Sequence, residues 1–286
     1  MRRLTVIFFL LAHAALASES TLREQVGAFF REQKWAEAQV LLEKALAAEP
    51  ENAEVCFFLG VCFLNRNDAP GALPFLEKAV ALAPANGNYV RHVGDACGMI
   101  AQKAGLFAQM TWARKCIAAY DRAVELEPKD INARWSVMEY CRQAPGFLGG
   151  GMEKAYVQAA AIKNLDPARG RTAYTELYIA EKKFPEAFAV YDEVLKNSPD
   201  DFATLYQVGK LADATGRELD RGLAALQKCL TLAPPADAGG YVPVRWRIGN
   251  ILAKQGDKAA ARAAYEAALA IDPKFSPAAE ALAKLN

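Results

Sequence analysis

Apolar residues recur along the chain at helical spacing, and short polar segments separate the apolar runs. Two stretches, EVCFFLGVCFLN and GALPFLEKAVALAP, follow the i, i+3, i+4, i+7 pattern of an amphipathic helix. Their apolar positions are Val55, Phe58, Leu59 and Cys62 in the first stretch and Ala72, Leu76, Ala79 and Val80 in the second. Polar turns such as NRND and KQGD follow such runs. The pattern predicts pairs of helices joined by tight turns.

Prolines divide the chain into units of similar length. Successive spacings are 34, 44, 39, 32, 35 and 39 residues, and similar text precedes each proline. These prolines are Pro50, Pro84, Pro128, Pro167, Pro199, Pro234 and Pro273. A period near 34 with insertions indicates an array of helical repeats. Because proline cannot continue a helix, each is predicted to end the second helix of a pair.

Small residues keep a second register within these units. Gly60, Ala72 and Pro84 are twelve residues apart in succession. The same spacing relates Gly249, Ala261 and Pro273, and, with threonine in place of glycine, Thr175, Ala187 and Pro199. Small residues allow two antiparallel helices to approach closely. We therefore place the glycine or threonine in the first helix of a pair and the alanine in the second.

These motifs resemble the tetratricopeptide repeat family, most closely in LGVCF…GALPFLEKAVALAP and IGNILAKQGDKAAARAAYEAALAIDP. The resemblance implies an all-α fold, a right-handed superhelical solenoid of antiparallel helix pairs that spans residues 18–286. It gives about seven repeats, of which the fifth lacks two residues near its start, and a C-terminal capping helix at 277–285. The repeats lie at roughly 20–52, 53–86, 87–130, 131–169, 170–201, 202–236 and 241–275.

The first residues, MRRLTVIFFLLAHAALASES, have the layout of a secretory signal peptide. Two arginines precede a mostly apolar run, and the small residues Ala15 and Ala17 mark a cleavage site. An uncleaved membrane anchor is the weaker alternative, since the run has about 13 residues against the ~20 that a bilayer span needs. The sequence predicts that residues 1–17 are removed, that no integral membrane segment remains, and that the protein is exported, to the periplasm or the medium.

Charge argues against one class of partner. The chain has 34 Lys and Arg against 33 Asp and Glu, for a net charge of +1. Proteins that bind nucleic acid usually carry a strong basic excess, because phosphate contacts supply much of the affinity. We therefore predict no nucleic-acid partner.

Six cysteines follow the predicted signal, and export would allow them to form disulfides. They are Cys56, Cys62, Cys97, Cys116, Cys141 and Cys229. Fifteen pairings are possible, and no Cys-x-x-Cys motif is present. The favoured interpretation is that most of them are small buried residues.

Two insertions lengthen the connections between the helices of a pair. Gly94 to Cys116 spans 22 residues where twelve is standard, and Met138 to Ala155 spans 17. Both connections fall on the same edge of the solenoid. MIAQKAGLFAQMTWARK is predicted to form a helical hairpin, and APGFLGGG to fold over it and bury its apolar side chains. The candidate partner-binding residues at this edge, called here the edge residues, are Phe107, Trp112, Phe147 and Leu148. A third insertion, PPADAGGYVPVRW, is predicted to form a structured loop in which Tyr241 packs back.

The glycine cluster in APGFLGGGMEKA raises the alternative of a phosphate site. Glycines before a helix expose N–H groups that could hold an anion. The segment lacks the Gly-x-x-x-x-Gly-Lys-Ser/Thr motif and the preceding strand that a phosphate loop requires. We favour a tight entry into the next helix, and anion binding by Gly149–Gly151 stays open.

Catalytic chemistry has little support in the sequence. Histidine occurs only at His13 and His92, and His13 leaves with the predicted signal. His92 lies in NYVRHVGDACG, where a helix-face histidine is the simpler interpretation. Carboxylates such as Glu139 and Asp213 are scattered rather than paired. We predict no catalytic residues, no metal site and no cofactor.

In this repeat family the first helices line a concave groove, and the resemblance assigns inward positions to thirteen residues here. These groove residues are Arg91, His92, Asp95, Trp135, Glu139, Arg142, Tyr206, Gln207, Lys210, Asp213, Trp246, Arg247 and Asn250. Aromatic and arginine side chains are enriched at protein interfaces. The alternative for Trp135 and Trp246 is packing between helices as part of the core.

The sequence therefore favours a non-catalytic exported scaffold that binds a protein or an extended peptide in the groove or at the edge. The alternative is a small-ligand-binding or transport-accessory protein with a pocket between the groove and the insertions. An enzyme is the third and weakest hypothesis. The identity of a partner does not follow from the sequence.

Overall fold

The computed structural model describes residues 22–235 and 240–285, and this part of the chain is helical with no strand. The predicted all-α class is thereby confirmed. Residues 1–17, the predicted signal peptide, lie outside the described residues, so export stays a prediction. Within the described ranges, none of the helices combines the length and the apolar character that crossing a bilayer requires.

Fifteen α-helices in the described residues follow one another as seven pairs and a final helix, in two compact units. Unit 1 ends at Leu165. Its helices are α1 (described over 22–31), α2 (Trp35–Ala48), α3 (Ala53–Asn65), α4 (Ala69–Leu82), α5 (Gly87–Lys103), α6 (Leu106–Leu126), α7 (Ile131–Gln143), a short 3-10 helix η1 (Gly146–Leu148) and α8 (Met152–Leu165). Unit 2 begins at Asp166. It holds α9 (Pro167–Ala180), α10 (Phe184–Asn197), α11 (Phe202–Thr215), α12 (Leu219–Cys229), α13 (Val242–Lys254), α14 (Lys258–Ile271) and α15 (Ser276–Lys284).

Several helix pairs begin at a side chain that caps their first helix. Two residues before Pro84, α4 ends, and two residues after it the side chain of Asn86 caps α5 by accepting from the Tyr89 N–H at 3.1 Å. The same Pro-x-Asn/Asp order places the capping residues Asn52, Asp130 and Asp201. A side-chain oxygen at this position satisfies an N–H that the first helical turn leaves unpaired.

The fifth pair departs from this order. Pro167 is the first residue of α9 instead of part of a linker, and Asp166 caps the helix with hydrogen bonds from Ala168 and Arg169. Proline is well tolerated at the first helical position because its missing N–H has no partner there anyway. The two residues absent near the start of this repeat are those of the linker.

The structure corrects the interpretation of the small residues. Gly60 does not face another small residue, because a Cβ there would lie 2.5 Å from the side chain of Leu76, four positions after Ala72. Gly249 faces Tyr265 and Gly94 faces Tyr120 in the same way. The helices of a pair therefore interlock by placing one large side chain of the second helix over a glycine of the first.

The lengthened hairpin is present as predicted. Helices α5 and α6 have 17 and 21 residues, against 13 and 14 in α3 and α4. Helix α5 starts and α6 ends in the common register, so the extra turns all lie at the connected end. The Nζ of Lys103 donates to the backbone oxygen of Asn67 at 3.0 Å, which braces the hairpin against the α3–α4 turn.

The prediction that the APGFLGGG loop buries the hairpin tip is wrong. Leu106 and Phe107 are exposed, and so is Phe147 in the loop itself. The loop instead packs lower on the hairpin, where Gly149 lies beside Ile117. Hydrogen bonds within the loop hold it in this position, which leaves the tip open.

The third insertion is only partly a loop, because its last five residues, VPVRW, begin helix α13, whereas Tyr241 packs back as predicted. The Tyr241 hydroxyl donates to the backbone oxygen of Leu232 at 2.7 Å, and the ring packs against the core of unit 2. Residues 236–239, in the middle of this insertion, lie outside the described residues.

All six cysteines are buried and carry free thiols, as the burial interpretation predicted. Burial raises the pKa of Cys62 and Cys116 to about 12 and that of Cys97 and Cys229 to about 11. We expect all six thiols to be inert to a thiol reagent near pH 8 in the native protein and all six to react in denaturant. A count below six in denaturant would show that disulfides form.

The same pKa values set the direction of a pH effect. An unfolded thiol ionises near pH 8.5, whereas the folded thiols stay protonated well above that value. Their contribution to stability is therefore complete below about pH 8.5 and is lost as the pH rises toward the folded values.

Candidate functional site

A cavity of about 440 Å³ lies within unit 1, where α5, α6 and α7 meet. It joins predicted groove residues to the lengthened hairpin and to the start of the glycine loop. Its lining residues are Asp95, Gly98, Ala101, Gln102, Gln109, Ala113, Cys116, Tyr120, Trp135, Ser136, Glu139, Tyr140, Gln143, Ala144 and Pro145. Pockets of this volume with aromatic walls and a few polar groups are typical of ligand sites.

One wall of the cavity is a hydrogen-bonded set on α5 and α6. The Asp95 carboxylate accepts from Arg91 Nη1 at 2.9 Å and from the Tyr120 hydroxyl at 2.8 Å. Burial raises the pKa of Tyr120, so the hydroxyl keeps its proton and acts as a donor. The carboxylate is thus oriented from both sides and its charge is balanced by the guanidinium.

A second wall comes from α7. Glu139 pairs with Arg142 three residues later, with the Arg142 Nε donating to Oε2 at 2.8 Å. The hydrogen bond from Arg142 is the main reason that the pKa of Glu139 is lowered. Trp135 lies one turn earlier on the same helix and also lines the cavity. The cavity therefore combines an aromatic surface with carboxylates whose charges are already paired.

His92 does not line this cavity. Its Nδ1 donates to the Asn88 backbone oxygen at 2.8 Å, and its ring packs edge-on against Phe57 at 4.8 Å. Burial, and next the Arg91 guanidinium, lower the pKa of His92. His92 is therefore a neutral, packed histidine on a helix face, which is the simpler of the two interpretations that the sequence allowed. Among the described residues, no three His, Cys, Asp or Glu side chains are grouped so as to hold a metal ion.

The groove residues of unit 2 form a separate cluster around one buried carboxylate. Asp213, 5% exposed, accepts from Arg247 Nη1 at 2.9 Å and from Asn250 Nδ2 at 3.0 Å, and it also pairs with Lys254. Arg247 Nε donates to the Tyr206 hydroxyl at 3.0 Å. These side chains link α11 to α13, and their polar groups hydrogen-bond to one another.

The other groove residues of unit 2 lie outside this network. Lys210 is exposed on α11, and Gln207 beside it is half-buried. Trp246 packs against the C-terminal core of unit 2 and meets the Phe275 ring edge-on at 5.9 Å. The core interpretation of Trp246 therefore holds, while Trp135 lines a cavity.

Two segments of the chain match family models described as tetratricopeptide repeat, residues 29–92 and residues 243–275. The first segment begins in α1 and reaches into α5, and the second begins with α13 and ends just after α14. No curated protein is significantly similar to the chain in sequence.

The chain contains tetratricopeptide repeats in these two segments.

Solved structures agree with this assignment at the level of the fold. A tetratricopeptide repeat protein from Parabacteroides merdae covers 93% of this chain and 97% of its own at 16% identity, with a TM-score of 0.56. A thermophilic one from Thermus thermophilus covers 75% and 100% at 18% identity, with a TM-score of 0.53. Yeast Tom70 covers 88% of this chain at 16% identity and a TM-score of 0.62, and the match spans 51% of Tom70. Proteins of this family are generally non-catalytic scaffolds that bind proteins or peptides.

The glycine loop of this repeat protein is a connector whose N–H groups are already used. The N–H groups of Gly149, Gly150 and Gly151 donate to Gly146, Pro145 and Cys141 oxygens at 2.9, 3.2 and 2.7 Å. Positive φ angles of 89° and 122° at Gly149 and Gly151 explain the choice of glycine at these two positions. Lys154 donates to the Gly149 oxygen at 3.0 Å and so closes the loop from the helix side. Because all three glycine N–H groups already donate to carbonyl oxygens of the protein, the structure favours a tight turn over an anion-binding site.

The sequence did not point to several of the residues that line the cavity. Tyr120 occupies the position four residues after the small residue of the second helix, where Leu76 and Tyr265 stand in other pairs. That register could have identified it. Gln102 and Gln109 carry no such signal, because only the packing of the hairpin against α7 brings them to the cavity.

Proposed function

We propose that this tetratricopeptide repeat protein is an exported, non-catalytic scaffold that holds an extended peptide or protein segment at the cavity of unit 1. The cavity of about 440 Å³ between α5, α6 and α7 carries the proposal. It has the size of one or two side chains of a bound segment. Partner binding by the groove residues and by the edge residues extends the same proposal.

The chemistry of the lining suits a neutral peptide segment. Gln102, Gln109 and Gln143 offer amide donors and acceptors that match those of a peptide backbone. Trp135 offers a flat apolar surface of the kind that anchors interfaces. Because Asp95 and Glu139 are each paired with an arginine, the site does not select strongly for charge.

A capture experiment tests this proposal. The immobilised protein is incubated with an extract of the cells that produce it, and bound segments are cross-linked and identified. Gln109→Trp, which fills the cavity from an exposed position, and Trp135→Ala are each expected to lower capture of a peptide-containing partner about tenfold.

Two matched variants serve as controls. Ala108→Trp adds the same bulk at an exposed position that does not line the cavity. Trp35→Ala removes a half-buried tryptophan elsewhere in unit 1. Equal capture by all four variants, with unchanged melting temperatures, would refute binding at the cavity.

The second candidate is a small-ligand-binding or transport-accessory protein, and the enclosed position of the same cavity between helix face and insertion favours it. A thermal-shift screen with metabolite-sized compounds separates the two candidates. A ligand at 100 times its Kd adds about 2.7 kcal/mol to stability, which raises the melting temperature by several degrees. Such a rise, abolished by Gln109→Trp, would establish the second candidate in place of the first.

A further inference from the structure

The tip of the α5–α6 hairpin presents apolar side chains to solvent. Leu106 and Phe107 begin α6 and are 69% and 81% exposed. Phe147, in the connection between α7 and α8, is 71% exposed, and the short helix η1 that carries it contacts α6. Large apolar side chains in two neighbouring connections indicate an interaction surface. Because the loop that carries Phe147 packs lower on the hairpin, we call Leu106 and Phe107 alone the tip residues.

Positive charge surrounds the tip residues. Between residues 96 and 120 the chain has three basic residues and no Asp or Glu. All three are exposed, namely Lys103, Arg114 and Lys115. The preceding carboxylate, Asp95, is already paired with Arg91 at 2.9 Å, and Glu153 at the start of α8 is followed by Lys154. The surface that meets the tip must therefore be compatible with both apolar burial and net positive charge.

The order of groups along α6 matches the layers of a bilayer surface. Arg114 follows Phe107 by seven residues, so it lies on the same helix face about 10 Å farther from the tip. The Lys115 ammonium lies 4.4 Å from the centre of the Trp112 ring. Tryptophan and basic side chains at headgroup level, with Phe and Leu beyond them, are the arrangement of an interfacial anchor.

The height of the hairpin agrees with this arrangement. Helix α5 exceeds α3 by four residues and α6 exceeds α4 by seven, which raises the tip by about 6–10 Å. Interfacial segments enter a bilayer to a depth of about 5–10 Å. The extra turns thus carry the tip residues far enough to be buried while the common part of the hairpin stays outside.

We propose that the hairpin tip inserts into the surface of a bilayer that contains anionic lipids. Leu106 and Phe107 enter the boundary of the acyl chains, and Arg114 and Lys115 meet the lipid phosphates. Apolar side chains at the end of the hairpin with basic side chains behind them match an anionic bilayer, in which acyl chains surround the tip and phosphates meet the cations. The cavity of unit 1 uses other residues, so this proposal is separate from the proposed peptide site. It assigns Phe107 and Trp112, two of the edge residues, to a lipid surface in place of a protein partner.

Vesicle binding of the full chain tests the insertion. Phosphatidylcholine vesicles with and without phosphatidylglycerol are compared, with brominated acyl chains as quenchers of tryptophan fluorescence. We expect binding only to the anionic vesicles, weakened by salt, and quenching that disappears in Trp112→Phe. Because residues 1–21 contain no tryptophan, quenching at Trp112 reports the hairpin and not the N-terminal apolar run.

Variants identify the contribution of each group. Leu106→Ser with Phe107→Ser is expected to weaken vesicle affinity, measured by quenching, at least about a hundredfold, and Arg114→Gln with Lys115→Gln about twentyfold. Val157→Ser, which changes another exposed apolar residue of unit 1, and Trp135→Ala at the cavity should leave it unchanged.

Three results would overturn the proposal. The first is an absence of Trp112 quenching by anionic vesicles. The second is equal binding by the serine pair and by Val157→Ser, with circular dichroism showing that both are folded. The third is self-association or capture of a protein that depends on the tip residues while vesicles are ignored. Loss of peptide capture in Trp135→Ala with vesicle binding intact would uphold both proposals at once.

Discussion

Replacing Asp213 with alanine is expected to lower the free energy of unfolding by about 3 kcal/mol. Asp213 is 5% exposed and accepts hydrogen bonds from Arg247 and Asn250 while pairing with Lys254. Its removal leaves the guanidinium of Arg247, whose side chain is 14% exposed, without its counter-charge. Breaking one side of a buried ion pair costs far more than the pair itself contributes. Urea denaturation followed by circular dichroism measures the change.

Asp192→Ala is the matched control for this experiment. Asp192 also pairs with an arginine, Arg221, but its side chain is 56% exposed. An exposed ion pair contributes about 0–1 kcal/mol, so the control variant should denature close to the wild type. Equal losses in the two variants would mean that the Asp213 network does not join α11 to α13 in solution.

Gly209→Ala is expected to destabilise the protein by about 2 kcal/mol although alanine is the better helix former. A Cβ at Gly209 would lie 2.2 Å from Leu226 Cγ and 2.5 Å from its Cδ2. Leu226, on α12, is fully buried in the core of unit 2, so its movement away from an added Cβ would disturb that core. Overpacking therefore exceeds the gain of about 1 kcal/mol in helix propensity. The same denaturation measurement applies.

Gly27→Ala is expected to change the stability of the protein in the opposite direction. Gly27 lies in α1, and the atom nearest to an added Cβ is Arg31 Nη1 at an ordinary 3.5 Å. Without a clash, the substitution should raise stability by up to about 1 kcal/mol. If Gly209→Ala also stabilised the protein, the interlocking of glycine and leucine within a helix pair would be refuted.

The α5–α6 hairpin was predicted correctly from the sequence only in part. The spacing from Gly94 to Cys116 and the lack of proline between them predicted two long helices, and α5 and α6 have that form. The same reasoning failed for the tip, because it assumed that exposed apolar side chains must be covered. Hydrogen bonds of the glycine loop decide its path, and these depend on backbone angles at Gly149 and Gly151 that composition does not specify.

The groove residues show a second limit. The repeat register placed Tyr206, Asp213, Arg247 and Asn250 on the first helices of successive pairs, where they are. It could not tell that these side chains use their hydrogen bonds on one another, across 34 to 41 residues of chain. The register specifies a helix face, whereas the partner on the neighbouring helix depends on rotamers and on the distance between helices.

By itself, the sequence determined the helices, their pairing and their order. These follow from two local rules, the apolar period of the helices and the prolines that separate the pairs. Only the tertiary structure decided that Asp213 is buried, that α5, α6 and α7 enclose a cavity, and that Leu106 and Phe107 meet solvent. Those outcomes depend on how side chains that are far apart in the sequence pack against one another. A local sequence pattern does not contain that information.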